Sequence, residues 1–382
     1  AVRAHLPATS TTHYFNAGTN GPLPDMVVET LTVAANRELD QGRIGPGLYE
    51  GLKADWQHLR ERFASIFGAN AGEIALTRST TEGVNIALLG ISWRRGDEVV
   101  TTSLEHPGII TPLSLVAHRF GVTIRTADIG HGGGDVAGAI AAEITGRTRV
   151  IALSHLMWSS GAVMPLREIA DLARERGILV IVDAAQAAGQ IPVNLHDLGV
   201  DAYAMSGQKW LCGPGGTGAL YVAHNRQSSF QPTYIRSAAA DLTGYLMPAP
   251  GAGRYEIGEF YNPALLGQLA GLTWFQEEVG LDWMFDRIAA LGQRCWSALD
   301  AIDGVTVTTP RDQMAGIVCF QVEGMHPRDV MNAVYEDGYT IRYVEYGQGP
   351  TVARVSNGWW NTEEEVDGLA AAIAKVTRSQ AS

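Results

Sequence analysis

The chain predicts an α/β protein with a large, mostly parallel sheet covered by helices on both faces, followed by a smaller α+β unit. Three observations predict it. Short apolar strands alternate with helix-period segments between residues 73 and 222, the pattern of parallel-sheet proteins. Ile178-Leu-Val-Ile-Val-Asp183 is apolar without alternation, as expected of a strand buried on both faces. The composition then shifts to Gly, Pro, Ala and Tyr over 226–262, and long amphipathic helices follow.

Taken in order, residues 26–40 and 50–67 carry apolar side chains at three-to-four spacing and predict two helices. Glu73 to Leu76 predicts a strand and Thr81 to Leu89 a helix. Glu98 to Thr102 is the next strand, Ile109 to Phe120 a helix, and Val122 to Arg125 a strand. Arg149 to Ser154 is a strand and Pro165 to Arg176 a helix. Ala202 to Met205 and Thr217 to Val222 complete the first set of strands. Residues 226–262 read as irregular connection. Helices over Pro263 to Val279 and Leu281 to Ile302 come next, then strands Val305 to Val307 and Gly316 to Val322. A helix from Pro327 to Asp337, strands near Tyr339 to Ile341 and Val352 to Val355, and a closing helix from Thr362 end the chain. The expected organisation is a large α/β domain over 16–260 and a small α+β domain over 261–382, with 1–15 packed nearby. Ligands of such sheets collect at the carboxyl ends of the strands, where Asp183 and the residues after Ser154 fall.

The bulk properties narrow the function. A chain of 382 residues, 46% hydrophobic, can bury a sizeable core. A net charge of −12 argues against nucleic acid or an acidic membrane surface as a main partner. Cys212, Cys295 and Cys319 show neither paired nor metal-like spacing, which suggests a reducing compartment without a disulfide framework. No leader pattern and no apolar run of about 18 residues or more is visible. A cytoplasmic protein without metal is the expectation.

The basic residues carry the chemical signal. There are 28 of them, and only Lys53, Lys209 and Lys375 are lysines. Lys209 stands in Ser206-Gly-Gln-Lys-Trp-Leu-Cys-Gly-Pro-Gly-Gly216, just before an apolar strand. Arginine is locked in its charged form, whereas a desolvated lysine can lose its proton and become a nucleophile. That points to a Schiff-base lysine holding pyridoxal phosphate (PLP). Asp183, ending its apolar strand in Val182-Asp-Ala-Ala-Gln186, needs a partner if buried. A pyridinium nitrogen would supply one, and a helix N-cap is the other reading. Thr77-Arg-Ser-Thr-Thr-Glu-Gly83 joins a strand to a helix, making either an anion cradle or a plain cap. Ser206 and Gln208 can add donors to the same anion. His106 follows a strand end and suits ring stacking or a structural role. His155 and Trp158 follow another strand end and can line a pocket or pack in the core. Arg354, among apolar neighbours in Val352-Ala-Arg-Val-Ser356, suits a carboxylate clamp or a surface ion pair.

Together these segments resemble the class V aminotransferase group of fold-type I PLP enzymes, which includes cysteine desulfurases, cysteine/cystine C–S lyases and isopenicillin N epimerases. The resemblance runs from Tyr14-Phe-Asn-Ala-Gly18 to Asn361-Thr-Glu-Glu-Glu-Val-Asp367. It implies Lys209 as the Schiff-base lysine, Asp183 on the pyridine nitrogen, Gln186 on the ring phenolate oxygen and His106 stacked on the ring. Thr80, Thr81, Ser206 and Gln208 would hold the phosphate, and Arg354, with Asn16 nearby, the substrate α-carboxylate. Gly258 matches a segment that reaches the partner subunit's phosphate, implying a homodimer with shared sites. Three departures are informative. Gln208 replaces a frequent His. Glu259 stands where some relatives have Thr. Trp158 stands where desulfurases have Asn, which is more like the C–S lyases. The loop ahead of the Arg354 strand, Arg342-Tyr-Val-Glu-Tyr-Gly-Gln-Gly-Pro350, contains no cysteine, so desulfuration through a persulfide is disfavoured. The expected function is a PLP-dependent C–S β-lyase acting on cysteine, cystine or a cysteine S-conjugate. An epimerase, an aminotransferase or an oxidative deaminase is the alternative, and a PLP-fold binding protein the non-enzymatic one. Tyr49, Tyr234, Tyr343, Trp359 and Trp360 are read either as an aromatic pocket with Trp158 or as packing.

Overall fold

The computed structural model describes residues 2–234, 250–345 and 351–380. Parts of the irregular 226–262 stretch and of the 342–350 loop therefore lie outside the described residues. The strands, in chain order, are β1 (His13–Tyr14), β2 (Ile74–Thr77), β3 (Glu98–Thr102), β4 (Thr123–Ala127), β5 (Thr148–Ser154), β6 (Leu179–Asp183), β7 (Ala202–Ser206) and β8 (Gly218–Val222), followed by β9 (Val305–Val307), β10 (Ile317–Val322), β11 (Tyr339–Thr340), β12 (Arg342–Val344) and β13 (Val352–Ser356). The helices are α1 (Asp25–Gln41), α2 (Leu48–Phe67), α3 (Thr80–Leu89), α4 (Pro107–Phe120), α5 (Val136–Glu143), α6 (Leu166–Arg174), α7 (Leu195–Leu198), α8 (Asn262–Trp274), α9 (Leu281–Asp300), α10 (Pro327–Glu336) and α11 (Glu363–Gln380).

Seven strands form the large sheet in the order β2-β8-β7-β6-β5-β3-β4. Only β8 runs against its neighbours; β7, β6, β5, β3 and β4 are parallel. Successive residues of a strand point to opposite faces, and both faces are covered. Val180 and Val182 of β6 pack with Phe63, Phe67 and Ile169, from α2 and α6. Ile181 packs on the other side with Val84, Leu113 and Val116, from α3 and α4. This two-sided burial explains why β6 is apolar throughout. β4, on the edge, is largely exposed and carries Thr and Arg instead.

A second, antiparallel sheet has the order β12-β13-β10-β9. Its Val318, Phe320, Ala353 and Val355 share a core with residues of α9, α10 and α11. β1 pairs with β11, and Asn16 bridges to Ser356 at the end of β13. The segment leading into the large sheet is thereby stitched to the second one.

The structure departs from the sequence-based expectation at several places. α5 was not expected: Val-Ala-Gly-Ala-Ile-Ala-Ala-Glu is small and apolar on nearly every side, so no helical stripe is visible, although Asp135 caps it by accepting from the Gly138 N–H at 2.7 Å. The helix expected to run to Val279 gives way to a π-turn at Phe275–Val279. Tyr339–Thr340 belongs to the small β1–β11 sheet, and Arg342–Val344 forms the additional strand β12.

Candidate active site

The carboxyl ends of β5, β6 and β7 open into a cavity of about 280 Å³. Asp183 is the last residue of β6 and Ser206 the last of β7. α3 brings its N-terminus to the same place because Gly83 faces Ala204 of β7. A Cβ on Gly83 would lie 2.8 Å from the Ala204 Cβ, so a larger residue would lift the helix off the sheet. Thr80 and Thr81 occupy the first turn of α3, where backbone N–H groups lack intrahelical partners. The Thr80 hydroxyl donates to Ser206 Oγ at 2.9 Å. Gln208 makes no side-chain hydrogen bond among the described residues, its Oε1 being buried without a partner, and its Nε2 is left to donate. One end of the cavity therefore gathers three hydroxyls, an uncommitted amide and a helix N-terminus, a set suited to a phosphate.

Lys209 follows on a turn held from both sides. Gly21 N donates to the Gln208 carbonyl at 2.9 Å, and the buried Trp210 indole donates to Gln186 Oε1 at 3.0 Å. The Lys209 amine lines the cavity. Burial, with a smaller push from Arg354, brings its pKa down to about 8 against the attraction of Asp183. That is the range in which a lysine can act as nucleophile and base. Asp183 is buried and accepts from Ala185 N at 2.9 Å. Burial raises its pKa, opposed by the Ala185 hydrogen bond and by Lys209. No guanidinium or ammonium pairs with it among the described residues, so a cationic ring nitrogen would meet an unsatisfied carboxylate.

His106 caps α4, its Nδ1 accepting from Gly108 N at 2.9 Å. That hydrogen bond places the ring proton on Nε2. Burial first, then Lys209 and Arg354, lower its pKa to about 4, so the ring is neutral and suits stacking. Trp158 meets it edge-on, with centroids 4.8 Å apart. Gln186 uses one Nε2 hydrogen on the Gly18 carbonyl, at 2.9 Å, and keeps the other. Arg354 is buried. Its Nη1 donates to the Trp158 carbonyl and its Nη2 to Thr19 Oγ1, both at 3.2 Å, while Nε has no partner among the described residues.

Of the twelve residues for which the sequence suggested a cofactor or substrate role, ten line this one cavity: Thr80, Thr81, His106, Trp158, Asp183, Gln186, Ser206, Gln208, Lys209 and Arg354. Asn16 stands one step back, its Oδ1 accepting from the Thr19 hydroxyl at 2.8 Å, and Thr19 in turn accepts from Arg354. Gly258, with φ +127°, does not line the cavity of its own chain. His155 is buried behind Asp183 instead, with Nδ1 2.8 Å from the Tyr203 hydroxyl. Trp359 and Trp360 are core residues in contact with each other, and Trp359 also meets Trp274; Tyr49 and Tyr234 are exposed. Sequence reasoning missed Gly18, Thr19, Ser79, Ala185 and Arg342, which complete the cavity wall. Gly18, Ser79, Ala185 and Arg342 fall inside segments quoted from the sequence, but only Ser79, one hydroxyl of the Thr77–Gly83 cluster, carried a chemical signal of its own.

A buried amine of lowered pKa, an unpaired carboxylate, a neutral imidazole and a hydroxyl-rich helix N-terminus, all at strand ends of a mostly parallel sheet, fit a PLP enzyme of fold type I. The chain belongs to the aminotransferase class-V family, whose pattern it matches over residues 13–369, and it is PLP-dependent. It is 29% identical over 388 residues to a probable cysteine desulfurase 2 of Mycobacterium leprae, covering 95% of this chain and 91% of that protein. The solved structure of the cystine C–S lyase C-DES, in complex with its reaction product cysteine persulfide, superposes with a TM-score of 0.91 at 30% identity, over 97% of this chain and 99% of that one. A cysteine desulfurase from Thermococcus onnurineus superposes with a TM-score of 0.89 at 26% identity, over 99% and 98%. No helix of the described residues is long and apolar enough to cross a membrane.

Proposed function

We propose that the protein is a C–S β-lyase that splits cysteine, cystine or a cysteine S-conjugate into a thiol or persulfide, pyruvate and ammonia. One observation supports this reading above others: Lys209, Asp183 and Arg354 line the cavity, but no cysteine does. Cys212, Cys295 and Cys319 are all buried, and none lines the cavity. Burial pushes all three thiols up, Cys295 and Cys319 to about 12. Sulfur transfer to the enzyme needs a thiolate nucleophile; elimination does not. Similarity to the C-DES lyase supports the same choice over the desulfurase names of other relatives.

PLP, when bound, supplies an aldehyde for the substrate amine and a ring that accepts the electrons of the Cα–H bond. The chain's own residues do the rest. Thr80, Thr81, Ser206 and Gln208 hold the phosphate with the first turn of α3. Asp183 holds the pyridine nitrogen in its cationic form, Gln186 donates its free N–H to the ring oxygen, and His106 packs on the ring. Arg354 binds the substrate α-carboxylate, oriented by the Trp158 carbonyl and by Thr19, which Asn16 supports. Lys209 Nζ removes the Cα proton as its lowered pKa permits. The Cβ–S bond then breaks with its electron pair leaving on sulfur, and water completes pyruvate and ammonia. For cystine the balance is cystine plus water to cysteine persulfide, pyruvate and ammonia. Gly258 serves the phosphate of a partner subunit in a homodimer.

The deciding experiment incubates PLP-loaded protein with cystine, cysteine and S-alkyl cysteines, and assays pyruvate and released thiol. Stoichiometric pyruvate supports the lyase. Alanine without pyruvate would replace it with desulfuration, racemised substrate with epimerisation, and a stably aminated cofactor with transamination.

A further inference from the structure

A buried carboxylate next to the cavity has no part in this mechanism. Glu105 is 7% exposed, and no Lys or Arg pairs with it among the described residues. Its oxygens are committed to strand ends. Oε1 accepts from the Thr102 hydroxyl at 2.7 Å and from Ser154 N at 3.1 Å. Oε2 accepts from Ser154 N at 3.0 Å and from the Ser154 hydroxyl at 2.6 Å. Thr102 ends β3 and Ser154 ends β5. These strands are neighbours, but their pairing stops at Val100 and Ile151. Beyond that point Glu105 replaces the missing ladder.

Both sides of this link lead to the cavity. Ser154 lies opposite Asp183 in the β5–β6 register, and the next N–H, of His155, donates to the Asp183 carbonyl at 2.9 Å. In the other direction Glu105 is bonded to His106, which caps α4 through Gly108. A Cβ on Gly108 would lie 3.0 Å from His106 Nδ1, 3.1 Å from Thr81 Oγ1 and 3.5 Å from Asp183 Oδ2. The first turn of α4 therefore packs close to Thr81 and Asp183, where Gly108 leaves no space for a side chain.

We infer that Glu105 is a positioning residue: its carboxylate clamps the unpaired ends of β3 and β5, and so sets the placement of His106 relative to Asp183. A neutral network of Ser, Thr and an amide would not hold as firmly, because hydrogen bonds to an ionised acceptor are shorter and stronger. Burial, and to a smaller extent Asp183, raise the Glu105 pKa to about 7 against the hydrogen bonds from Ser154 and Thr102, so the carboxylate is fully ionised only on the alkaline side of neutrality, where the comparison below is made.

The inference rests on the PLP and lyase readings, and its test separates them. PLP-loaded wild type, Glu105→Gln and Thr102→Val are compared for bound PLP, melting temperature, the visible circular dichroism band of the cofactor, and kcat and KM with cystine. Glu105→Gln keeps the shape but loses acceptors for Ser154, and Thr102→Val removes one donor. Both are expected to bind PLP with an altered band amplitude. In both, kcat falls, on the order of tenfold for Glu105→Gln, while KM stays within about twofold, as when reacting groups are misaligned. A wild-type band in both variants overturns the inference, whatever happens to the melting temperature. If Glu105→Gln does not fold, Thr102→Val decides alone on the same criterion. If wild type makes no pyruvate, the lyase reading fails and the band still decides the clamp.

Discussion

Arg342 stands directly opposite Arg354 in the antiparallel β12–β13 pairing, and both side chains line the cavity. Like charges at paired positions repel. Here burial first, and then Arg342, pull the Arg354 pKa down to about 10. Two guanidinium groups held this close make a strong site for an anion, and the inner one is fixed in direction by Trp158 and Thr19.

Arg354→Lys is expected to lower kcat/KM for an S-alkyl cysteine on the order of a hundredfold, chiefly through KM. A lysine keeps the charge but loses the planar fork that matches a carboxylate. Steady-state pyruvate formation measures it. An unchanged KM would place the carboxylate clamp elsewhere.

Lys209 is expected to control loading. Only the neutral amine can attack an aldehyde, and its pKa is lowered to about 8. PLP uptake by the apoprotein is therefore expected to accelerate as pH rises through about 8 and then level off. Stopped-flow absorbance of the loaded chromophore follows this directly. A rate still climbing towards pH 10 would mean the amine is not desolvated. Lys209→Ala should leave no PLP fixed to the chain after borohydride reduction and should cost turnover at least a thousandfold, on the order expected for loss of an essential base.

The cysteines should be dispensable. Buried thiols with raised pKa are poor nucleophiles, so native protein at pH 8 is expected to resist iodoacetamide and keep its pyruvate-forming activity. Mass spectrometry and the assay are read on the same sample. Rapid alkylation with loss of activity would reinstate a catalytic thiol.

Glu256 is fully buried and receives both Arg60 and the Leu76 N–H, the latter at 3.0 Å. Arg60 thus ties α2 to the segment that carries Gly258. Arg60→Ala removes the cation that faces this buried carboxylate, and a loss of about 3–5 kcal/mol is expected, seen as a lower urea midpoint. A shift within experimental error would show that Glu256 is neutral or held by its other contacts.

Most strands and helices of this protein can be read from its sequence, because period-two and period-3.6 burial are local patterns. Asp183 and Ser206 could be placed at strand ends, and Lys209 just beyond one, for the same reason. α5 could not be read, since its small apolar residues show no stripe. The π-turn at Phe275–Val279 could not be read either, since Trp274 and Phe275 continue the helical pattern while packing on Trp359 decides the geometry.

The sequence by itself determined most of the elements, the chemical types gathered at the strand ends, and the lysine and aspartate on which the proposed chemistry depends. Only the tertiary structure decided which of these meet. It set Arg342 against Arg354 and drew Trp359 and Trp360 into the core. It also turned Glu105, which the sequence offers as one more acid beside a histidine, into the tie between β3 and β5. Such contacts join residues far apart in the chain, and their energies depend on burial and distance, which no local pattern encodes.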